Sequence, residues 1–296
     1  MNHWEELRRE LQGSRGFAAW VRRQVIPQGA QLADEARQQV LRNLWKDIPP
    51  SRDEILRNVN TLFCDFLDTE YVLYLQYEEQ CALMAIELAL SEHAQRHYPK
   101  TSQLIRSTLS VLQDSTASSL EKLRVIADHL RLFYRLFEQS LAQGRMTRAG
   151  GSAQLHLIYL LEQLGYAGEF ETQQVLNGRV DFVFPSKRAW ELDRQRCVLV
   201  SVKRSLRERY KQIFEELGIT GGLTVYLVIT QTLGEARKDL TSEKVDNIRK
   251  QNVYLVVRDA VKAEMFPNEN SVLSFSQFIT EELPLRRLLW RPLLGG

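Results

Sequence analysis

The chain has 296 residues, of which 44% are hydrophobic and 26% are charged, and this composition is typical of a globular protein with one large domain or two ordinary ones. The three cysteines are far apart in the sequence, which argues against a disulfide framework or a zinc site and fits a reducing cytoplasm. The first ten residues carry acids where a signal peptide needs an apolar core, and the most apolar helical stretch, Cys81 to Leu90, is short and contains Glu87, so we expect neither export nor a membrane span.

Residues 1 to about 143 are predicted to form helices only. Glycine is absent between Ala30 and Gln143, and prolines occur only where the apolar stripes are interrupted. We predict helices at Trp4–Ile26 with a break near Gly13–Gly16, at Leu32–Trp45, from a capping box at Ser51 toward Arg96, at Thr101–Leu112, and from about Ser118 to Leu141. Their apolar stripes are interpreted as core, with the alternative that one stripe forms a subunit interface.

The stretch from Gln143 to Ser152 contains three glycines and is predicted to end the last of these helices at a hinge or domain boundary. We therefore divide the chain into an all-α N-terminal domain, residues 1–144, and a second domain, residues 145–296.

The second domain has the pattern of an α/β fold, with a mixed five-stranded sheet flanked by helices. Asn177-Gly178 is a strong hairpin signal between strands at Thr172–Leu176 and Arg179–Phe184. Further strands are predicted at Cys197–Val202, Leu223–Thr230 and Val253–Val257, and helices at Gln154–Leu164, Ser205–Leu217, Ser242–Lys250 and Ser274–Trp290. The helix between the last two strands predicts a crossover and parallel pairing.

Candidate catalytic residues lie at the ends of two neighbouring strands of this sheet. Asp181 starts one apolar strand and Lys203 ends the next, so their side chains meet if the strands pair. Cutting a phosphodiester requires carboxylates that hold a divalent ion, which activates water and neutralises the charge that develops on the phosphate oxygens. A lysine beside the ion orients the water or stabilises the same charge. The pattern therefore predicts metal-dependent phosphodiester cleavage.

A second carboxylate is expected from the helix that follows Lys203. At about 100° per residue, Glu215 points away from the apolar face of this helix into solvent. Glu216 lies on the flank of that face, on the same stripe as Arg209 and Gln212. We therefore choose Glu216 as the second metal ligand.

The same region is locally basic, although the whole chain carries a formal charge of only +2. Nine lysines and arginines and three acids occur between Lys187 and Lys211, and local basic density matters for phosphate binding. Within it, Arg207 and Arg209 flank Glu208. Arginine forks match the O6 and N7 acceptors of guanine, and a carboxylate accepts from cytosine N4, so the segment predicts readout of two adjacent G·C pairs. The alternative is a solvated helix face with intrahelical ion pairs.

Together these residues resemble the PD-(D/E)XK nuclease core, in the branch of type II restriction endonucleases that reads CCGG or CC-(spacer)-GG sites. In that branch serine or threonine replaces the usual strand acid before the lysine, and a glutamate from the following helix compensates. Ser201, Lys203 and Glu216 match this pattern. The segment from Arg207 to Gln212 resembles the recognition segment of the branch.

The resemblance extends to Arg148-Ala-Gly-Gly with the helix after it and to Gly178–Pro185, and it covers residues 145–217 best. Two positions depart from the pattern. Val180 stands where proline often precedes the aspartate, a position with no chemistry. Gln154 stands about where members carry a helix glutamate near the metal, which leaves open whether one or two ions bind.

The resemblance implies Mg²⁺-dependent hydrolysis of double-stranded DNA that leaves 5′-phosphate ends. Asp181 and Glu216 would hold the ion and Lys203 would assist the water. Ser201 would substitute structurally for the missing acid, with the alternative that it is a nucleophile served by Lys203. The DNA contacts implied are Arg148, Arg204, Arg207, Glu208, Arg209 and Gln212.

A palindromic site requires a twofold arrangement, so a homodimer is expected. The resemblance also implies a companion DNA methyltransferase in a bacterial or archaeal cytoplasm. The N-terminal domain would build the dimer, clamp the DNA or contact flanking bases. Two alternatives stay open, a less specific nuclease of the same core for repair or mobile elements and a non-catalytic DNA-binding adaptor. A small-molecule α/β enzyme is disfavoured because no glycine-rich phosphate loop follows any strand.

Overall fold

The computed structural model describes residues 3–46, 48–175, 180–206, 223 and 225–294, with the backbone alone for His3 and residues 146–150. The chain divides into two compact units. The first comprises Met1–Asp34 and Glu70–Arg148, and the second comprises Glu35–Thr69 and Ala149–Gly296. Residues 35–69, which the sequence division assigned to the N-terminal domain, therefore belong to the second unit.

Helices precede the sheet, as the sequence predicts. They are α1 (His3–Leu11), α2 (Phe17–Val25), α3 (Gly29–Trp45), α4 (Arg52–Arg57), α5 (Val59–Ala89), α6 (Glu92–His97), α7 (Pro99–Gln113) and α8 (Ser119–Gln163). The break between α1 and α2 is confirmed, and Gly13 adopts a φ of +88° there, which glycine tolerates without strain. The structure shows no helix long and apolar enough to span a membrane in the residues it describes.

The capping box at Ser51 is confirmed, because Ser51 Oγ accepts the Glu54 amide and the Glu54 carboxylate accepts the Ser51 amide at 2.8 Å. The single helix predicted from Ser51 toward Arg96 is wrong. The chain forms α4, α5 and α6 there, and Ser91 begins α6 by accepting the amide of Ala94. A serine cap thus restarts the chain where apolar periodicity alone suggested one continuous helix.

The predicted end of the last helix at Gln143–Ser152 is also wrong, because α8 continues through it. A glycine inside a helix costs only about 1 kcal/mol, and buried residues on both sides, Leu141 and Ala153, hold the helix in place. A Cβ at Gly144 would lie 1.9 Å from Arg22 Nη1, so the flexible arginine side chain would have to shift. The division between the two units falls within α8.

The second unit contains one mixed sheet of six strands in sequence order. The strands are β1 (Glu171–Thr172), β2 (Phe182–Phe184), β3 (Val198–Lys203), β4 (Val225–Ile229), β5 (Val253–Val257) and β6 (Val272–Ser274). Strands β1 to β3 pair antiparallel and β3 to β6 pair parallel. The α/β class, the mixed sheet and the parallel pairing of β4 with β5 are confirmed.

Two details of the predicted sheet need correction. The residues that the structure describes form six strands rather than five, and the additional strand, β6, has only three residues and is too short to give an alternation signal. The first strand covers Glu171–Thr172 instead of Thr172–Leu176. The predicted turn at Asn177-Gly178 lies outside the described residues.

Helices cover both faces of the sheet. Among the described residues, the other α-helices are α9 (Lys187–Leu192), α10 (Leu233–Asp239), α11 (Ser242–Arg249), α12 (Asp259–Met265), α13 (Phe275–Gln277) and α14 (Leu283–Trp290), with a π-helical turn at Phe278–Glu282 between the last two. On one face Phe182, Val200 and Tyr226 pack with α8 and α14. On the other, Leu199 and Leu227 pack with α9 to α12. Because side chains alternate along each strand, the sheet has one core on each face, and each strand residue belongs to one of the two.

Candidate active site

Asp181 and Lys203, which the sequence predicts to meet, are in direct contact. Lys203 Nζ donates to Asp181 Oδ2 at 2.9 Å, and the Val202 amide donates to the same oxygen at 2.7 Å. Gln154, on α8, donates its side-chain amide to Asp181 Oδ1. The pair is largely buried, with 12% of the lysine side chain and 6% of the aspartate side chain exposed. Both carboxylate oxygens are thus engaged, and the ion pair is held in place by neutral donors on either side.

Strand pairing explains this contact. In the antiparallel register of β2 and β3, Phe182 lies opposite Val200. Side chains alternate along a strand, so Asp181 projects from the same face as Val183, and Lys203 from the same face as Leu199. Those two apolar residues belong to one core. The acid and the lysine therefore extend the same side of two adjacent strands at the point where the apolar residues stop.

Ser201 lies on β3, two residues before Lys203, and is 5% exposed. Within the part of the chain that the structure describes, no hydrogen bond joins its hydroxyl to Lys203 or to a histidine. A serine nucleophile needs a base within hydrogen-bond reach. The geometry gives the nucleophile alternative no such base, and the role of Ser201 as a substitute for a strand acid stays a prediction.

Arg204, predicted to contact DNA, is held by α10. Its Nη2 donates to Glu235 Oε1 at 3.2 Å, and the carboxylate of Glu235 also accepts the amide of Thr232 at 3.0 Å. Burial raises the pKa of Glu235, but the hydrogen bonds from Thr232 and Arg204 outweigh it, so this pKa lies below its ordinary range. Helix α10 has too little apolar periodicity to be predicted, but Thr232 and Glu235 have the spacing of a capping box that marks its start.

Several predicted site residues lie outside the described residues. These are Glu216, Arg207, Glu208, Arg209 and Gln212, and the side chain of Arg148. Across the described ranges, no three acidic, histidine or cysteine side chains form a group that could hold a metal ion. Asp181 supplies one carboxylate of the donor set that a hard divalent cation prefers. The second carboxylate, Glu216, stays a prediction.

A known protein family has a sequence pattern that matches this chain. The sequence model of the family described as "EcoRII C terminal" matches residues 117–279, which is more than half of the chain. The chain belongs to this family. The match includes Asp181, Lys203 and the helices that surround them.

Individual relatives agree with this assignment. The chain is 26% identical over 153 residues to the type II restriction enzyme SsoII of Shigella sonnei, and the aligned part covers 49% of this chain and 48% of SsoII. The alignment thus spans about half the length of the relative.

Solved structures show the same fold. Metal-depleted Ecl18kI in complex with uncleaved DNA superposes with a TM-score of 0.71 at 17% identity, over 97% of this chain and 86% of that chain. The complex of the restriction endonuclease PspGI with substrate DNA gives a TM-score of 0.55 at 17% identity, over 88% and 93% of the two chains. The α/β fold is therefore that of restriction endonucleases, and the chain is similar to enzymes that are site-specific deoxyribonucleases.

Proposed function

We propose that this protein is a type II restriction endonuclease that hydrolyses double-stranded DNA with Mg²⁺ at a palindromic site containing CCGG or CC-(spacer)-GG. The observation that carries the proposal is the contact of Lys203 Nζ with Asp181 Oδ2 at 2.9 Å, at the end of adjacent strands, in a chain of the EcoRII C-terminal family. A carboxylate and a lysine held together in this way suit the binding of a cation and of a phosphate at one place.

Each predicted site residue has its own role in this proposal. Asp181 offers its carboxylate to the ion, together with Glu216. When bound, Mg²⁺ acts as a Lewis acid that activates water and neutralises charge on the phosphate. Lys203 holds Asp181 in place and presents a positive charge toward the phosphate. Because Lys203 is only 12% exposed, water screens this charge less than it would on the surface.

Base reading is assigned to the segment after β3. Arg207 and Arg209 recognise guanines and Glu208 recognises a cytosine in the major groove, while Arg148, Arg204 and Gln212 contact the DNA beside them. Arg204 follows Lys203 directly, and its contact with Glu235 keeps the guanidinium near the candidate active site. A palindromic target implies a homodimer, with the helical N-terminal region as dimer interface or DNA clamp. A companion methyltransferase would protect the host DNA in a bacterial or archaeal cytoplasm.

The proposal is tested by incubating the purified protein with unmethylated phage DNA, with Mg²⁺ or with EDTA, and sequencing the fragment ends. Discrete Mg²⁺-dependent bands with 5′-phosphates and G·C pairs at every end are expected. Asp181→Asn, which keeps the size of the side chain, is the matched control and should leave the DNA intact.

The alternatives give different results. A Mg²⁺-dependent smear would indicate a less specific nuclease of the same fold and remove the base-reading role of Arg207 to Arg209. Intact DNA with wild-type protein, at sites that are unmodified and supplied in two copies, would indicate a non-catalytic DNA-binding adaptor. For a base reader, Arg207→Ala should abolish cleavage of the mapped site and leave weak, salt-sensitive binding to DNA of any sequence.

A further inference from the structure

Helix α10 contacts the three residues that separate Lys203 from the segment that begins at Arg207. Its two acids, Glu235 and Asp239, are four residues apart and so lie on one side of the helix. Glu235 receives the guanidinium of Arg204 at 3.2 Å, and Asp239 receives the backbone amide of Leu206 at 3.0 Å. Helix α10 thus forms two hydrogen bonds to the chain between Lys203 and Arg207, the first predicted base-reading residue.

Asp239 is the more strongly fixed of the two acids. It is 2% exposed. Its Oδ2 accepts from the Leu206 amide at 3.0 Å and from Gln231 Nε2 at 3.2 Å, and its Oδ1 accepts from Lys244 Nζ at 2.9 Å. Lys244 Nζ also donates to the backbone carbonyl of Asp239 at 2.7 Å. A buried carboxylate with this set of donors has little freedom to move, because losing any donor leaves a buried charge less well paired.

Leu206 is fixed from its side chain as well as from its amide. The side chain is fully buried and belongs to the same core as Ala236 and Leu240. Its amide is tied to Asp239, so the backbone at this position is anchored immediately before Arg207. A buried backbone amide outside a strand or helix needs a hydrogen-bond partner from elsewhere in the chain. Here the partner is a carboxylate from a helix, and this couples the position of the chain to α10.

We propose that Asp239 is a positioning residue for sequence discrimination, which sets the start of the Arg207–Arg209 segment relative to Lys203. The inference rests on the proposed function. Asp239 does not touch DNA or the reacting phosphate. It acts through Leu206, because small displacements of a recognition or catalytic group cost large factors in rate.

The experiment compares cleavage of the mapped site with cleavage of sites that carry one wrong base pair, under single-turnover conditions. Asp239→Ala should lower the ratio of cognate to near-cognate cleavage by at least about tenfold, the order expected when one bidentate base contact is weakened. The double variant Asp239→Asn with Lys244→Met keeps an oxygen for the Leu206 amide and removes the buried charge together with its partner. It should discriminate as the wild type does.

Asp259→Ala is the matched control for a merely structural acid. Asp259 lies at the start of α12 and accepts the amide of Ser276 at 3.0 Å and its hydroxyl at 2.5 Å, so these hydrogen bonds do not involve residues 203–207. Its loss should lower stability and leave discrimination unchanged. Hydrogen exchange of the Leu206 amide gives a second readout, and it should be faster in Asp239→Ala than in Asp259→Ala at matched stability.

The outcomes separate this inference from the function on which it rests. A wild type that cuts without sequence preference overturns the proposed function and this inference with it. A selective wild type whose Asp239→Ala variant is equally selective, or whose Leu206 amide exchanges no faster, overturns the inference alone. If Asp239→Ala does not fold, loss of discrimination in the folded double variant contradicts it, since that variant retains the acceptor.

Discussion

Two buried aspartates in the second unit have nearly the same surroundings and different assigned roles. Asp181 accepts from one backbone amide, one lysine at 2.9 Å and one glutamine. Asp239 also accepts from one backbone amide, one lysine at 2.9 Å and one glutamine. The set of donors therefore does not distinguish a candidate catalytic carboxylate from a structural one.

What differs is where each carboxylate lies in the fold. Asp181 and Lys203 sit on adjacent strands at the end of the sheet, in the part of the chain that resembles the nuclease core. Asp239 ends a helix, and its partner Lys244 is five residues away in sequence on the next helix. The comparison teaches that contact between an acid and a lysine does not by itself mark a candidate active site, and that the position of the pair at the end of the sheet is also needed.

The largest difference between the two pairs is expected when Lys203 and Lys244 are each replaced. Lys203→Met should lower the single-turnover rate of cleavage by at least about 1,000-fold, because it removes charge next to the phosphate. Lys244→Met removes the equivalent charge beside Asp239 and should leave the rate of cleaving the cognate site within about tenfold of the wild type. Equal losses of rate in the two variants would contradict the different roles assigned to the two pairs.

A half-buried carboxylate, Glu169, tests whether pairing with charged and neutral donors has any catalytic consequence by itself. Its oxygens accept from Arg287 and from Trp290 Nε1 at 3.1 Å, and its side chain is 14% exposed. Burial raises the pKa of Glu169, but these hydrogen bonds outweigh it, so the pKa lies below its ordinary range. The stability it contributes is present above the ordinary carboxyl pKa and is lost as the pH falls through the lowered value.

Glu169→Gln should therefore lower the free energy of unfolding at pH 7 by about 2 kcal/mol. The difference from the wild type should shrink as the pH falls from the ordinary carboxyl range through the lowered pKa of Glu169, because the wild-type carboxyl then takes up a proton. Urea unfolding at a series of pH values measures this difference in free energy. The cleavage rate at pH values where both proteins are folded should be unchanged. A difference that grows as the pH falls would contradict the sign of this argument.

The two glutamines sharpen the comparison with a smaller effect. Gln154→Glu places a second carboxylate in contact with Asp181. In EDTA, repulsion between the two like charges should destabilise the folded state by about 1 kcal/mol. If this is the metal site, added Mg²⁺ should raise the melting temperature of Gln154→Glu more than that of the wild type, because a cation that binds the folded state stabilises it. Gln231→Glu makes the same change beside Asp239 and is the control. It should also be destabilised, with no added response to Mg²⁺.

Much of this arrangement was predictable from the sequence. Continuous apolar runs gave β3, β4 and β5, and the position of Asp181 and Lys203 at strand ends was sufficient to bring them together. The continuation of α8 through Gly144 was not predictable from local signals, because its flanking residues are stabilised by tertiary packing. The hydrogen bonds of Asp239 were not predictable for a similar reason. Nothing in the sequence around Leu206 shows that its amide bonds to a side chain 33 residues away.

The most direct test of the account is a parallel measurement of Asp181→Asn and Asp239→Ala on a duplex that carries the mapped site. DNA binding is measured in Ca²⁺ and single-turnover cleavage in Mg²⁺. The account predicts that Asp181→Asn binds the site and does not cut it, whereas Asp239→Ala cuts it and discriminates less well against sites with one wrong base pair. Cleavage by Asp181→Asn at the wild-type rate, or equal loss of cleavage in both variants, would contradict the assignment of the active site to Asp181 and Lys203.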